Sequence, residues 1–362
     1  MSGLSSTGFS AGSLGGEALS LGAVGNVGAD LSKFSVIRPP RPMLARDADS
    51  VYWMSRYVER AEHLARMMLM KLYLLADCGE LEEHMERRLW QTIPTVMRGA
   101  EVPGVAEVGQ GDIGPTVLRW YTFDLGNHNS LIRCITAARE NARGIREHIS
   151  AEMWEAINGM YWLVNGEDAA AKYEESQDAF LRQIMTYSML FQGLTDQTLG
   201  HDQRWHFAQM GKHLERADFT SRFVEVHWRL LTDLAVELET PIRNINWMSV
   251  LRSCCSIEAF RKFSVGDMDP LHVVRFLTLE ANYPRTVRYA VSAAYRSVIQ
   301  IRVEGQTRRI DAAERILGRL EADLEYAEIS EMLSVSVDKY LQQVQTRIAE
   351  AAAEMQKSYF LH

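Results

Sequence analysis

One fifteen-residue pattern occurs twice in this chain, and it restricts the fold more than any other feature. The first copy is Tyr52-Trp53-Met54-Ser55-Arg56-Tyr57-Val58-Glu59-Arg60-Ala61-Glu62-His63-Leu64-Ala65-Arg66. The second is Ala208-Gln209-Met210-Gly211-Lys212-His213-Leu214-Glu215-Arg216-Ala217-Asp218-Phe219-Thr220-Ser221-Arg222, displaced by a constant 156 residues. Wound as helix, Met54, Tyr57, Val58, Ala61, Leu64, Ala65 and Met68 share one face. Arg56, Glu59, Arg60, His63 and Arg66 share the other. The second copy repeats the charged stripe with Lys212, Glu215, Arg216 and Arg222. Ala61 and Ala217 are small enough to admit a neighbouring helix closely.

A charged stripe on a helix is ordinarily a solvated face, whose ion pairs contribute about 0–1 kcal/mol each. Glu62 with Arg66, and Asp218 with Arg222, have the spacing of such pairs. A solvated face accepts many residue types, so finding the same one twice needs a cause. Either a duplication persists, or the two stripes face each other across a charged seam between helices.

The rest of the chain extends the helical reading. Its 362 residues are 47% hydrophobic and 24% charged, within the range of globular proteins. The pattern predicts helices over 47–78, 80–93 (broken at Pro94), 129–149, 152–164, 174–199 and 201–237. Further helices are expected from Pro241 through Phe260, over 270–279, from Pro284 to Val298, and over 307–321 and 324–356. Ser150 and Asp269-Pro270 have the form of helix starts. No stretch alternates as a strand would. The fold class expected is all-α, a multi-helix bundle built from two related helical halves, about 43–200 and 201–358. Residues 1–42 are rich in Gly and Ser and read as a disordered leader; they lack the basic start and apolar run of a signal peptide.

Several chemistries are excluded or disfavoured. Net charge is −8 and no basic block occurs, which argues against nucleic acid as a partner. No apolar run reaches membrane-spanning length, so no membrane association is expected. Cys78, Cys134 and the adjacent Cys254-Cys255 make no C-x-x-C, and free thiols suit a cytoplasmic protein. The ten histidines lack metal-binding spacing: no H-E-x-x-H occurs, and Asp269-x-x-His272 alone has an acid three residues ahead, so no metal site is expected. Gly8-Phe9-Ser10-Ala11-Gly12 resembles a hydrolase elbow but lacks a flanking strand and helix. Gly109-Gln110-Gly111-Asp112-Ile113-Gly114 has dinucleotide-loop spacing. With no buried strand ahead and Pro115 behind, it reads as part of a surface loop over 99–115. No P-loop occurs.

What remains is the charged motif and a third cluster, Arg139-Glu140-Asn141-Ala142-Arg143. Arg60, Arg216, Arg143 and Arg285 together would suit an anion, since guanidinium groups bind phosphate and carboxylate bidentately. The alternative is a set of internal Arg–Glu pairs without a ligand.

At these residues the chain resembles the bacterial alpha-E domain family, an all-helical family named for its Glu-Arg motifs. The resemblance rests on Met43 to Met54 running into Arg56-Tyr57-Val58-Glu59-Arg60-Ala61-Glu62, and on Ala137-Ala138-Arg139-Glu140-Asn141-Ala142-Arg143 through Met153-Trp154. It continues in His213-Leu214-Glu215-Arg216-Ala217-Asp218 and in Phe276-Leu277 with Tyr283-Pro284-Arg285-Thr286-Val287-Arg288-Tyr289. Such proteins usually begin near Met43, so the leader is a departure. The resemblance implies an all-helical domain of uncharacterised function. Its expected partners are a circularly permuted ATP-grasp protein and a transglutaminase-like protein. It implies an accessory or scaffold role in a ligase system making or modifying peptide or amide bonds. The alternative is an enzyme acting on an anionic peptide-like substrate through an Arg/Glu/His cluster. No cofactor and no catalytic residue follow from it. The candidate residues come from the motifs: Arg56, Glu59, Arg60, His63, Arg66, Arg139, Glu140, Arg143, Lys212, Glu215, Arg216, Arg222 and Arg285.

Overall fold

Long apolar stretches at helical spacing have to be buried against one another, and here they assemble around two central helices. The computed structural model describes residues 43–79, 81–264, 268–306 and 309–360. The expected leader and the hydrolase-elbow match lie outside these residues. The described chain folds into fifteen α-helices and no strand. In order they are α1 (Ala45–Cys78), α2 (Glu83–Met97), α3 (Gln110–Phe123), α4 (Leu131–Gly144) and α5 (Ala151–Asn165). Then come α6 (Ala169–Glu175), α7 (Gln177–Thr198), α8 (Gln203–Asp233), α9 (Thr240–Ser253) and α10 (Ile257–Phe263). The last are α11 (Pro270–Leu279), α12 (Val287–Glu304), α13 (Ala312–Tyr326), α14 (Ile329–Val335) and α15 (Val337–Met355).

Helices α1 and α8 carry the two motif copies and pack side by side at the centre. α4, α7 and α9 pack on α1, whereas α12, α15 and α2 pack on α8. Both central helices are therefore enclosed nearly all round. Met54, Val58, Ala61, Leu64, Ala65 and Met68 on α1 are fully buried, as are Met210, Leu214 and Ala217 on α8. The charged faces are buried as well, so the solvated-face expectation is overturned. An amphipathic pattern locates the apolar face of a helix; it does not reveal that a second neighbour covers the polar one.

Contacts between α1 and α8 climb both helices in the same direction, so the two run parallel. Arg56 meets Glu215, Glu59 meets Arg216, and the rings of His63 and Phe219 stack at 4.2 Å. His63 and Phe219 hold equivalent places in the two copies, 156 residues apart. The closest backbone approach is at Gly211, where a Cβ would lie far inside contact distance of the Tyr52 carbonyl oxygen.

Local signals fixed some helix ends and misled at others. Ser150 caps α5 by accepting from the Met153 N–H, and Asp269 caps α11 with Pro270 at its first position. Pro94 does not end its helix: α2 runs through it to Met97, and Arg98 closes it in the left-handed conformation at φ 49°. The expected loop over 99–115 stops at Gly109, where α3 begins, and Pro115 lies inside that helix. Burial of Ile113, Val117, Leu118 and Tyr121 outweighs the one backbone hydrogen bond that proline forfeits. Gly114 is there for packing, since a Cβ would come within 2.6 Å of the Trp90 ring. The expected 129–149 helix is capped by Ser130 and ends at Gly144, with a single 3₁₀ turn following. The expected 174–199 helix is preceded by the separate α6, and Phe260 lies in α10, beyond the end of α9. The expected 324–356 helix is divided at Ser336, whose φ is 84°.

Candidate functional site: a buried Glu–Arg seam

The two stripes meet along the α1–α8 contact, and the Glu-Arg pairs exchange partners. Arg216 donates to both oxygens of Glu59, Nε to Oε1 at 2.6 Å and Nη2 to Oε2 at 2.9 Å. Arg60 does the same to Glu215, at 2.6 and 3.0 Å. Each Glu-Arg dipeptide thus supplies the carboxylate for the other's guanidinium. Such fork-to-fork pairing fixes geometry as well as charge.

Beyond this exchange the two copies differ. Arg56 adds two contacts to Glu215, from Nε at 2.9 Å and Nη2 at 2.8 Å, and its Nη1 donates to the Tyr52 hydroxyl. Its counterpart in the second copy is Lys212, which makes no such contact to Glu59. Glu59 is met instead by Arg285 at 3.4 Å, by His63 Nε2 at 3.1 Å and by the Gln192 amide at 3.4 Å. Arg285 also donates Nη2 to both oxygens of Glu62 at 2.8 Å. It arrives on the segment between α11 and α12, which is stitched to α8: Arg216 Nη1 donates to the Pro284 carbonyl and Thr220 to that of Arg285.

One turn further on, equivalent pairs close within each helix. Arg66 donates to Glu62 Oε1 at 2.5 Å, and Arg222 to Asp218 Oδ2 at 2.8 Å. Arg222 also donates to the Val96 carbonyl of α2. Glu62 and Asp218 were absent from the candidate residues, although their match at the 156-residue offset marks them.

These carboxylates are almost wholly removed from solvent: Glu59 is 0% exposed and Glu62 and Glu215 are 1%. Burial alone would raise their acidities' midpoints. For Glu215 the adjacent Arg60 and Arg56 outweigh burial and hold it well below the usual carboxylate range. Burial is likewise outweighed at Glu59, by Arg216, His63 and Arg285, and at Glu62, chiefly by Arg285. Burial pushes His63 down despite its contact with Glu59, and pushes His213 far down together with Lys212 and Arg216. The seam therefore consists of ionised carboxylates and guanidinium groups with two uncharged imidazoles. Seven cations (Arg56, Arg60, Arg66, Lys212, Arg216, Arg222, Arg285) face four carboxylates (Glu59, Glu62, Glu215, Asp218), an excess of three positive charges.

The third cluster lies elsewhere. Arg143 side chain is 67% exposed and pairs with Glu140 at 2.5 Å, so it does not converge with Arg60, Arg216 and Arg285. Arg139 donates to Asn158 and lies over the rings of Tyr161, at 4.4 Å, and Trp154, at 5.5 Å. Arg146 covers Trp154 at 5.4 Å, and Trp162 beside them is 60% exposed. This is a surface patch of arginine and aromatic residues on α4 and α5. A cleft of about 600 Å³ also lies away from the seam, bounded by Trp90, Pro94, Arg98 and Val105. Among the described residues no cluster of His, Cys, Asp or Glu could hold a metal ion, and no helix is long and apolar enough to cross a membrane.

An all-helical domain built on two parallel helices that exchange Glu-Arg pairs is the class this fold and seam define. Residues 43–360 match the Alpha-E family, described as a predicted alpha-helical domain with a conserved ER motif, and the chain belongs to that family. It is similar to an uncharacterized protein of Mycobacterium bovis and to uncharacterized proteins from two strains of Mycobacterium tuberculosis. Each is 20% identical over 311 residues, covering 81% of this chain. The chain spans only 34% of the length of these relatives. No solved structure matches it.

Proposed function

We propose that this chain is a helical accessory or scaffold partner of an ATP-grasp-type ligase system for peptide or amide-bond synthesis or modification. The observation that carries the reading is the state of the Glu-Arg motif. Glu59, Glu62 and Glu215 each receive several charged donors from within the chain. A motif spent in this way holds α1 to α8 and offers no carboxylate as an acid, base or nucleophile. The alternative, an enzyme that works through the Arg/Glu/His cluster, would need at least one of these carboxylates free.

Two further features fit a partner role. The family's middle motif, outside the seam, supplies Arg139 and Trp154, which lie half-buried at the surface with Tyr161 beside the exposed Trp162, and Trp, Tyr and Arg are the residues enriched where proteins dock. In the mycobacterial relatives the matched region is about a third of a longer chain, so there it is covalently joined to further sequence. The matching offsets of the two copies favour descent from a duplicated unit, with halves about 43–200 and 201–358. Cys78, Cys134, Cys254 and Cys255 are unpaired, which suits a reducing cytoplasm.

The test is a tagged pull-down from the native host, with mass spectrometry of proteins and small molecules. Stoichiometric recovery of an ATP-grasp or transglutaminase-like protein is expected. A chain that elutes without a protein partner, carrying a bound anionic metabolite, overturns the partner reading.

A further inference from the structure

We propose that Lys212, at the margin of the seam beside Arg216 and Arg285, is a binding site for the oxyanion of a small ligand, a carboxylate or a phosphate.

The argument starts from the mismatch between the two copies. Arg56 and Lys212 are equivalent, 156 residues apart, and Arg56 is neutralised by the opposite copy's Glu215. The corresponding carboxylate for Lys212 is Glu59, but Arg216, Arg285, His63 and Gln192 already occupy it. Lys212 is only 8% exposed, yet its ammonium makes no hydrogen bond and no ion pair. Asp196 attracts Lys212 from a distance but forms no ion pair with it, and its Oδ1 accepts from Trp205 Nε1 and Gln209 Nε2 at 3.2 and 2.8 Å. An ammonium this buried, repelled by Arg216 and Arg285 and with no carboxylate in contact, is costly unless an anion joins it.

Lys71 shows what an ammonium sealed in the core looks like. Its Nζ is buried with no partner and beyond the reach of solvent. Lys212 Nζ also lacks a partner but is not among the sealed atoms, so it keeps contact with solvent. Neighbouring donors are available. Arg216 spends three of its five N–H groups, two on Glu59 and one on the Pro284 carbonyl. Burial and the adjacent Arg216 push Lys212 down to about 8, so an anion that binds there draws the amine toward its charged form. A lysine point charge flanked by guanidinium groups suits a compact oxyanion, with no demand for a metal.

This site is independent of the ligase reading, because it is read on the purified chain without any partner. Isothermal titration with inorganic phosphate and, separately, with succinate, at constant ionic strength, is the experiment. Saturable binding of one anion per chain is expected, and which of the two binds tells phosphate from carboxylate. Lys212→Met should weaken that binding by about tenfold or more, while Lys71→Met leaves it unchanged. If Lys212→Met fails to fold, the unmutated protein serves: acetic anhydride labelling of Lys212, read by peptide mass spectrometry, should fall saturably as the anion is added. No saturable binding, equal binding by Lys212→Met, or labelling that ignores the anion overturns the proposal. A raised melting temperature in Lys212→Met with no anion bound by the wild type overturns it as well, leaving Lys212 a surplus cation.

Discussion

Arg216 grips Glu59 through both carboxylate oxygens, across two helices whose matching residues lie 156 positions apart. The guanidinium is 7% exposed and the carboxylate 0%, so neither has water to fall back on. Arg216→Ala therefore leaves Glu59 with fewer counterions in a buried site and should cost about 3–5 kcal/mol. Arg143→Ala, on the surface, should stay within about 0.5 kcal/mol. Urea unfolding of both variants checks this, and equal midpoints would remove the seam from the stability of the fold.

Acid should unfold the protein through the same residues. Glu59 and Glu215 are held below their ordinary value of 4.5, chiefly because guanidinium groups overcome the effect of burial. Above that value folded and unfolded chains are both ionised and the stabilisation is complete. As pH falls below it, the unfolded chain takes up protons first, and stability is lost progressively towards the folded-state values. The urea midpoint should decline gently below about pH 7, where the unfolded chain protonates His63, His213 and His227 that burial keeps uncharged in the folded chain, and more steeply below about pH 5 as the carboxylates follow. A Glu215→Gln variant, measured over the same range, should start lower and decline less.

Lys71 contributes in the opposite sense. Burial pushes it from 10.5 down to about 7, and burial followed by the nearby Lys71 pushes His227 to about 3. At and below pH 7 the folded state bears the full cost of a proton that the unfolded state holds freely. The cost shrinks between 7 and 10.5 and is gone above that. Lys71→Met should stabilise the protein by about 2–4 kcal/mol at neutral pH. The gain should fade as pH approaches 10.5. A gain that does not change with pH would mean that packing alone is responsible.

Gly211→Ala tests how closely α1 and α8 approach. In an ordinary helix this change helps by roughly 1 kcal/mol. Here the added methyl meets the Tyr52 backbone, which cannot rotate away. A net loss of about 1–3 kcal/mol is expected, with the melting temperature as readout.

How much of this was legible in the sequence varies with how local the cause is. Ser150 and Asp269-Pro270 announced their helices because a cap is made by residues two or three positions away. Pro94 and Pro115 misled because the local penalty of proline is set against burial by distant helices. The 156-residue offset showed that the stripes are related, and the same offset governs their contact. The burial of those stripes was not visible, because a charged residue advertises solvent unless its partner is known. Glu59 finds Arg285 at a sequence separation of 226, and no spacing rule connects them. The loss of symmetry at Lys212 depends on that arrival and on those of Gln192 and His63, so it could be seen only in the folded chain.

The exchange of Glu-Arg pairs also bears on what keeps the chain a closed single copy. Glu59 and Glu215 each find a guanidinium on the opposite central helix, Arg216 and Arg60. Two chains that traded everything from α8 onward would rebuild these pairs, those of Arg285 included, without a new contact. The segment between α7 and α8, only a few residues from Thr198 to Gln203, is then what keeps the exchange within one molecule. A closed monomer and a domain-swapped dimer would share the same core contacts, and the length of that short hinge chooses between them.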